Sequence, residues 1–206
     1  MSNSIEEITS VIGAERIGKH QATIAWILTD SRSLCFPEET LFFALKTKRN
    51  DGHKYIPELY ARGGRNFVVT DVPEQLSHYA DANFLQVGNT LKALQRLAAK
   101  HREQFQVPVV GITGSNGKTV VKEWIYQLLS PEKVITRSPR SYNSQIGVPL
   151  SVWMMNEHTE LGIFEAGISE MGEMEALQPI IQPTFGVLKN IGWAHQENFS
   201  SLQGKC

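Results

Sequence analysis

Short apolar runs alternate along this chain with segments whose apolar positions recur at helical spacing, and that alternation predicts an α/β fold. Residues 4–12 read as a short helix with Ser4 as its N-cap, and residues 22–28 and 40–45 as strands. A helix over 54–62 ends at Gly63-Gly64, and strands follow at 66–70 and 83–87. Residues 90–105 read as a longer helix with Leu91, Leu94, Ala98 and Phe105 on one face.

The organisation changes near residue 106. The long helix ends in polar and charged residues, Pro108 cannot continue it, and the apolar stretch from Val107 to Ile112 leads into a glycine-rich turn. Two domains are therefore expected, 1–105 and 106–206. After the turn, Val120, Val121, Trp124, Ile125, Leu128 and Leu129 recur at helical spacing. They predict a helix with that face buried against a sheet. Strands at 161–164 and 185–191, with a helix over 173–180 between them, complete the pattern.

Composition narrows the class. Hydrophobic residues make up 41% of 206 positions, which excludes disordered, collagen-like and disulfide-scaffold chains. Twenty Lys and Arg against 21 Asp and Glu leave a net charge of −1. No field attracts nucleic acid or an anionic membrane, so any phosphate must be held by local geometry. No apolar run approaches the roughly 18 residues of a membrane span. The acidic start, without an apolar segment behind it, does not resemble a secretory signal. With only Cys35 and Cys206 as thiols, the expectation is a soluble protein of the reducing cytoplasm.

The sharpest feature is Gly111-Ile-Thr-Gly114-Ser115-Asn116-Gly117-Lys118-Thr119, which follows a strand and opens a helix. Glycines let successive N–H groups converge on phosphate oxygens, and the helix N-terminus adds partial positive charge. A lysine can reach the β- and γ-phosphates, and a Thr hydroxyl can ligate Mg²⁺. Ile112 stands where the generic phosphate-loop pattern has its first glycine. Nucleotide binding is still the expectation, open between kinase, GTPase, ATPase and ligase. An Asn-Lys-x-Asp guanine motif is absent, which weakens the GTPase reading.

Four further segments choose among these. The loop continues into Val-Val-Lys122-Glu123, and Ser141-Tyr-Asn143-Ser-Gln-Ile-Gly147-Val-Pro149-Leu150 lies downstream. Phe164-Glu165-Ala-Gly167 and Asn190-Ile-Gly-Trp-Ala-His195 follow. In this order the motifs resemble those of the Mur ligase family, and within it the branch that adds D-alanyl-D-alanine (D-Ala-D-Ala) to UDP-MurNAc-tripeptide. Thr29-Asp30-Ser31-Arg32, Leu41 to Thr47 and Asn50 to His53 resemble the family's N-terminal domain, which holds the uridine diphosphate.

The resemblance implies an N-terminal α/β domain for the UDP substrate and a mostly parallel-sheet ATP domain. It also implies an acyl-phosphate reaction of peptidoglycan precursor synthesis, on which cell wall, cell shape and cell division depend. ATP and Mg²⁺ are the implied cofactors. Gly114, Ser115, Asn116, Gly117, Lys118 and Thr119 would bind ATP; Thr119, Glu165 and His195 would meet the metal. Lys118, Glu165 and His195 form the implied catalytic set. Ser31, Arg32, Lys46, Thr47, Asp51, Gly52, His53 and Asn143 would contact substrate.

Read as residues alone, several keep simpler alternatives. Glu165 could complement a helix dipole, His195 could be a cap or surface group, and Asn143 or Asp51-Gly52-His53 could be turn chemistry. Lys122 and Glu123 read as a solvated face. The family's modified lysine would fall beyond Cys206, and its C-terminal domain is absent from the chain. A fragment, inactive alone and monomeric, is therefore expected, with no nucleic-acid partner and no membrane insertion. The alternatives are a UDP-sugar and ATP-binding module without turnover, a tripeptide-forming Mur ligase, and an unrelated kinase.

Overall fold

The computed structural model describes residues 3–47, 50–169 and 172–190. The chain divides into two units, 1–97 and 98–206. In the first, strand β1 (Asn3–Ser4) runs into helix α1 (Ile5–Ile12) through a capping box. The Ser4 hydroxyl accepts from the Glu7 N–H, and the Glu7 carboxylate accepts from the Ser4 N–H. These bonds satisfy donors that have no partner inside the helix. Ile5, Ile8 and Ile12 bury the inner face.

The main sheet of this unit contains β2 (Glu15–Ile17), β4 (Trp26–Leu28), β5 (Thr40–Phe43), β6 (Asn66–Val69) and β7 (Asn83–Gln86), in the order β2-β7-β6-β5-β4. The strands β4 to β7 pair in parallel, and β2 runs antiparallel along the edge of β7. Residues 22–28 are two strands instead of the one expected. β3 (Thr23–Ile24) pairs with β1, and β4 joins the sheet. The break falls at Ala25, because the N–H groups of Ala25 and Trp26 both donate to the Glu39 carbonyl, which a regular ladder does not allow. Helix α2 (Ile56–Ala61) packs Ile56 and Leu59 on Phe42, Phe67 and Phe84.

Helix α3 (Thr90–Arg102) contains the division between units, at Leu97 and Ala98, ahead of the change of organisation near residue 106. Its last turn is bonded into the second unit. The Arg102 guanidinium donates to the carbonyls of Phe105, Ile181 and Gln182, and His101 bonds to the Met155 carbonyl.

The second unit has a parallel sheet of β8 (Val109–Thr113), β9 (Ile135–Arg137), β10 (Leu161–Glu165) and β11 (Phe185–Leu188), in the order β11-β8-β10-β9. Helix α4 (Lys118–Leu129) lies on one face, where Val121 and Ile125 meet Ile112 and Ile163. Helices α5 (Gly147–Val152) and α6 (Glu173–Ile181) lie on the other face with Val109 and Phe164. The inner residues of β8 and β10 alternate between the two cores with the strand period of 2. The neighbours β8 and β10 thus send their following helices to opposite faces. Their carboxyl ends flank a switch-point crevice, where ligands of open α/β sheets bind.

Two expectations for α4 are corrected. Only the column of Val121 and Ile125 packs on the sheet, while Val120, Trp124 and Leu128 remain exposed. Successive helical residues point about 100° apart, so two adjacent columns cannot both face a flat surface. Lys122, expected in solvent, is completely buried. Among the described residues, no helix is long and apolar enough to cross a membrane.

Candidate functional site

The loop between β8 and α4 bends through Gly114 (φ 133°) and Gly117 (φ 77°), both in conformations that disfavour a side chain. Close packing adds a second reason. A Cβ on Gly114 would lie 3.0 Å from the Asn190 carbonyl oxygen, and one on Gly117 would collide with the Lys189 ammonium group. The strand end beyond β11 ties the loop down: Ser115 N–H donates to Asn190 O (2.8 Å) and Lys189 N–H to Thr113 O (3.1 Å). Asn116 projects at the exposed tip. Lys118 folds back so that Nζ donates to Gly114 O at 2.7 Å. Burial lowers the pKa of this ammonium, opposed by the charges of Glu165 and Glu173.

Thr119 opens α4, and its hydroxyl donates to Glu165 Oε2 at 3.0 Å and lies 3.3 Å from Ser141 Oγ. Glu165 ends β10 and is completely buried. Its Oε1 is 3.0 Å from Lys122 Nζ but accepts no well-directed hydrogen bond. The other carboxylate oxygen, Oε2, lies beside the Thr119 hydroxyl, and such a buried pair of oxygens suits a small, hard, oxygen-seeking cation. Thr119 and Glu165 could therefore hold Mg²⁺, with water and phosphate oxygens as further ligands. Among the described residues, no three His, Cys, Asp or Glu side chains cluster closely enough to form a metal site by themselves.

The segment after β9 forms the adjoining wall. Asn143 is placed by its backbone, whose carbonyl accepts from Gly167 N–H at 2.7 Å. Glu173, at the start of α6, accepts from Ser169 N–H at 2.6 Å. His195 lies outside the described residues.

The first unit holds the remaining expected residues. Ser31 is buried, and Arg32 pairs with Asp30 at 2.6 Å. Arg32 holds the pKa of Asp30 down to about 2, through its side chain first and its N–H second. Lys46 Nζ lies 3.8 Å from both Asp51 and Asp71. Thr47 closes a turn with Asn50. Gly52 has no room for a side chain, since a Cβ would lie 2.8 Å from the Leu45 nitrogen. The ring of His53 is engaged at both nitrogens: Nε2 accepts from Thr70 N–H (3.0 Å), so Nδ1 carries the proton directed at Asp51 (2.6 Å). This histidine holds its own loop in place, and Lys46 is an exposed cation near it.

Sequence reasoning missed Lys122, Ser138, Ser141 and Lys189. A usable signal existed for the first: Lys122 follows Lys118 by four positions, hence shares its face of α4.

Residues 112–204 match the Mur ligase middle domain. The chain is 34% identical over 186 residues to the UDP-N-acetylmuramoyl-tripeptide–D-alanyl-D-alanine ligase of Bacillus subtilis, covering 89% of this chain and 39% of that enzyme. A crystal structure of MurF from Acinetobacter baumannii superimposes with a TM-score of 0.89 at 28% identity, over 100% of this chain and 45% of that one. MurF of Thermotoga maritima, solved in complex with ADP, has a TM-score of 0.76 at 30% identity, over 87% and 40%. The chain thus spans less than half the length of each.

Proposed function

The chain belongs to the Mur ligase family, and from that premise we propose that it carries the nucleotide and UDP-substrate portions of a ligase joining D-Ala-D-Ala to UDP-MurNAc-tripeptide. The observation that carries this reading is the Thr119–Glu165 pair, a hydroxyl and a completely buried carboxylate 3.0 Å apart beside the phosphate loop. The ADP-bound MurF neighbour supports ATP as the nucleotide.

In this reading the N–H groups of residues 114–119 and the N-terminus of α4 receive the ATP phosphates. Lys118 leaves the Gly114 carbonyl to meet the β- and γ-phosphates. Thr119 and Glu165, joined by His195, would hold Mg²⁺, which would supply charge neutralisation at the phosphates. The terminal carboxylate of the tripeptide attacks the γ-phosphorus, ADP leaves, and an acyl phosphate forms. The amine of D-Ala-D-Ala then adds to the acyl carbon; phosphate departs with the C–O bond and the amine proton passes to solvent. Lys118 stabilises charge that develops in the first step.

Ser31, Arg32, Lys46, Thr47 and the Asp51-Gly52-His53 turn contact the uridine diphosphate, and Asn143 the substrate side of the ATP site. We place the reaction in peptidoglycan precursor synthesis in the cytoplasm, carried out by a monomer. The test is phosphate release by the intact gene product. Release is expected only when ATP, UDP-MurNAc-tripeptide and D-Ala-D-Ala are all present. Release driven by a single free amino acid would overturn the D-Ala-D-Ala assignment. Calorimetry on the 206-residue chain should show binding of Mg-ATP and of UDP-MurNAc-tripeptide.

A further inference from the structure

One helical turn behind the phosphate loop, a lysine is buried among polar atoms from three separate segments. Lys122 is completely excluded from solvent. Its Nζ donates to Ser138 O at 2.8 Å and to Arg140 O, and lies 3.0 Å from Glu165 Oε1 and 3.3 Å from Glu123 Oε1. The partners come from α4 itself, from the end of β10 and from the segment after β9. A second bond joins the last two, since Glu165 N–H donates to Ser138 Oγ at 3.1 Å.

The carbonyls that Lys122 holds belong to a turn containing a strained residue. Arg140 has φ 48°, a left-handed conformation uncommon outside glycine. The following residue, Ser141, is thereby delivered to within 3.3 Å of Thr119 Oγ1. A buried ion pair is a costly way to fill space, and an apolar pair of similar volume often serves stability as well or better. The ammonium group here provides something packing cannot. It fixes a carboxylate and a turn relative to the loop, and its own charge stands opposite the carboxylate.

Building on the nucleotide reading above, we propose that Lys122 is a positioning residue for the metal and phosphate site. It grips Glu165 at Oε1, which keeps Oε2 turned toward the Thr119 hydroxyl, and it holds the 138–141 turn against Thr119. Lys122 acts through Glu165 and Ser141, with no contact to the nucleotide.

The test uses the 206-residue chain and two substitutions, Lys122→Met and Lys122→Arg, with Glu123→Gln as a control that leaves the Glu165 and Ser138 contacts intact. Calorimetry measures ATP affinity in the presence of EDTA. Electron paramagnetic resonance measures Mn²⁺ affinity in the presence of ATP, and thermal melting follows the fold. The Met variant should keep metal-free ATP affinity within about twofold and lose about 10- to 100-fold in Mn²⁺ affinity, the usual effect of removing a group that orients a metal ligand. If the Met variant does not fold, the Arg variant decides. It keeps the charge but misplaces the donor, and should lower Mn²⁺ affinity by about threefold or more.

A variant that melts earlier yet binds Mn²⁺ as the wild type does would make Lys122 merely structural and overturn the proposal. An equal loss of ATP affinity with and without metal would also overturn it, since it would signal direct nucleotide contact. A wild-type chain that binds no ATP would instead overturn the nucleotide reading, and this proposal with it.

Discussion

At single residues, the loop and its surroundings differ in how much the chain itself revealed. Gly114, Gly117, Lys118 and Thr119 stand out in the sequence as the residue types that phosphate binding would need at that spacing, and the structure gathers them between β8 and α4. Glu165 was legible because it ends an apolar run. Lys122 was misread, since charged residues are almost never fully buried unless paired, and its partner Glu165 lies far off in sequence. His53 was legible as a residue but not as a ring held at both nitrogens. His101, which no motif marked, supplies a pH test. Burial lowers its pKa below the ordinary 6.5, against a smaller opposing effect of the bond to Met155. The unfolded chain takes up this proton near pH 6.5 and the folded chain only at lower pH. The stability linked to this group is therefore present above that range and lost as pH falls through the folded value. Between pH 7 and pH 5 the urea midpoint of the wild type should fall more steeply than that of His101→Gln; parallel slopes would remove His101 from the acid response.

Elements were legible where one periodicity acted alone. The α1 helix and the strands β5, β6, β7, β8 and β10 follow their apolar patterns closely, and Ser4 caps where expected. The strand β9 and helix α5 were not anticipated. Three residues are too few to show an alternation, and Gly147-Val148-Pro149 looks like a loop. Pro149 is nonetheless tolerated in the first turn of α5, where its missing N–H forgoes no helical bond. Helix α4 provides the clearest test of packing against pattern, because Ile125 and Trp124 are adjacent in sequence and equally apolar on paper. Ile125→Ala should destabilise by about 2 kcal/mol, whereas Trp124→Gln should remain within about 0.5 kcal/mol. Urea denaturation measures both, and comparable losses would mean that the outer column is buried after all.

For the whole molecule, two units with separate cores predict separable responses to ligand. A ligand that binds only the folded form of one unit raises that unit's transition by mass action. Mg-ATP at about 100 times its Kd should therefore add about 2.7 kcal/mol to the unfolding of residues 98–206. The transition of residues 1–97 should stay in place. Hydrogen exchange resolved by segment checks this, and uniform protection of both units would contradict it. At this scale the amino-acid order by itself determined the α/β class, the glycine-rich loop between strand and helix, and the family to which the chain belongs. Each depends on residue types at short spacing, where backbone geometry leaves few choices. Only the tertiary structure decided that α3 contains the division between units, that one column of α4 is buried, and that Lys122, Ser138, Arg140 and Glu165 meet. Those outcomes depend on which distant strands become neighbours. The parallel order β11-β8-β10-β9 brings together residues more than forty positions apart, such as Thr119 and Glu165, and no local pattern encodes that adjacency.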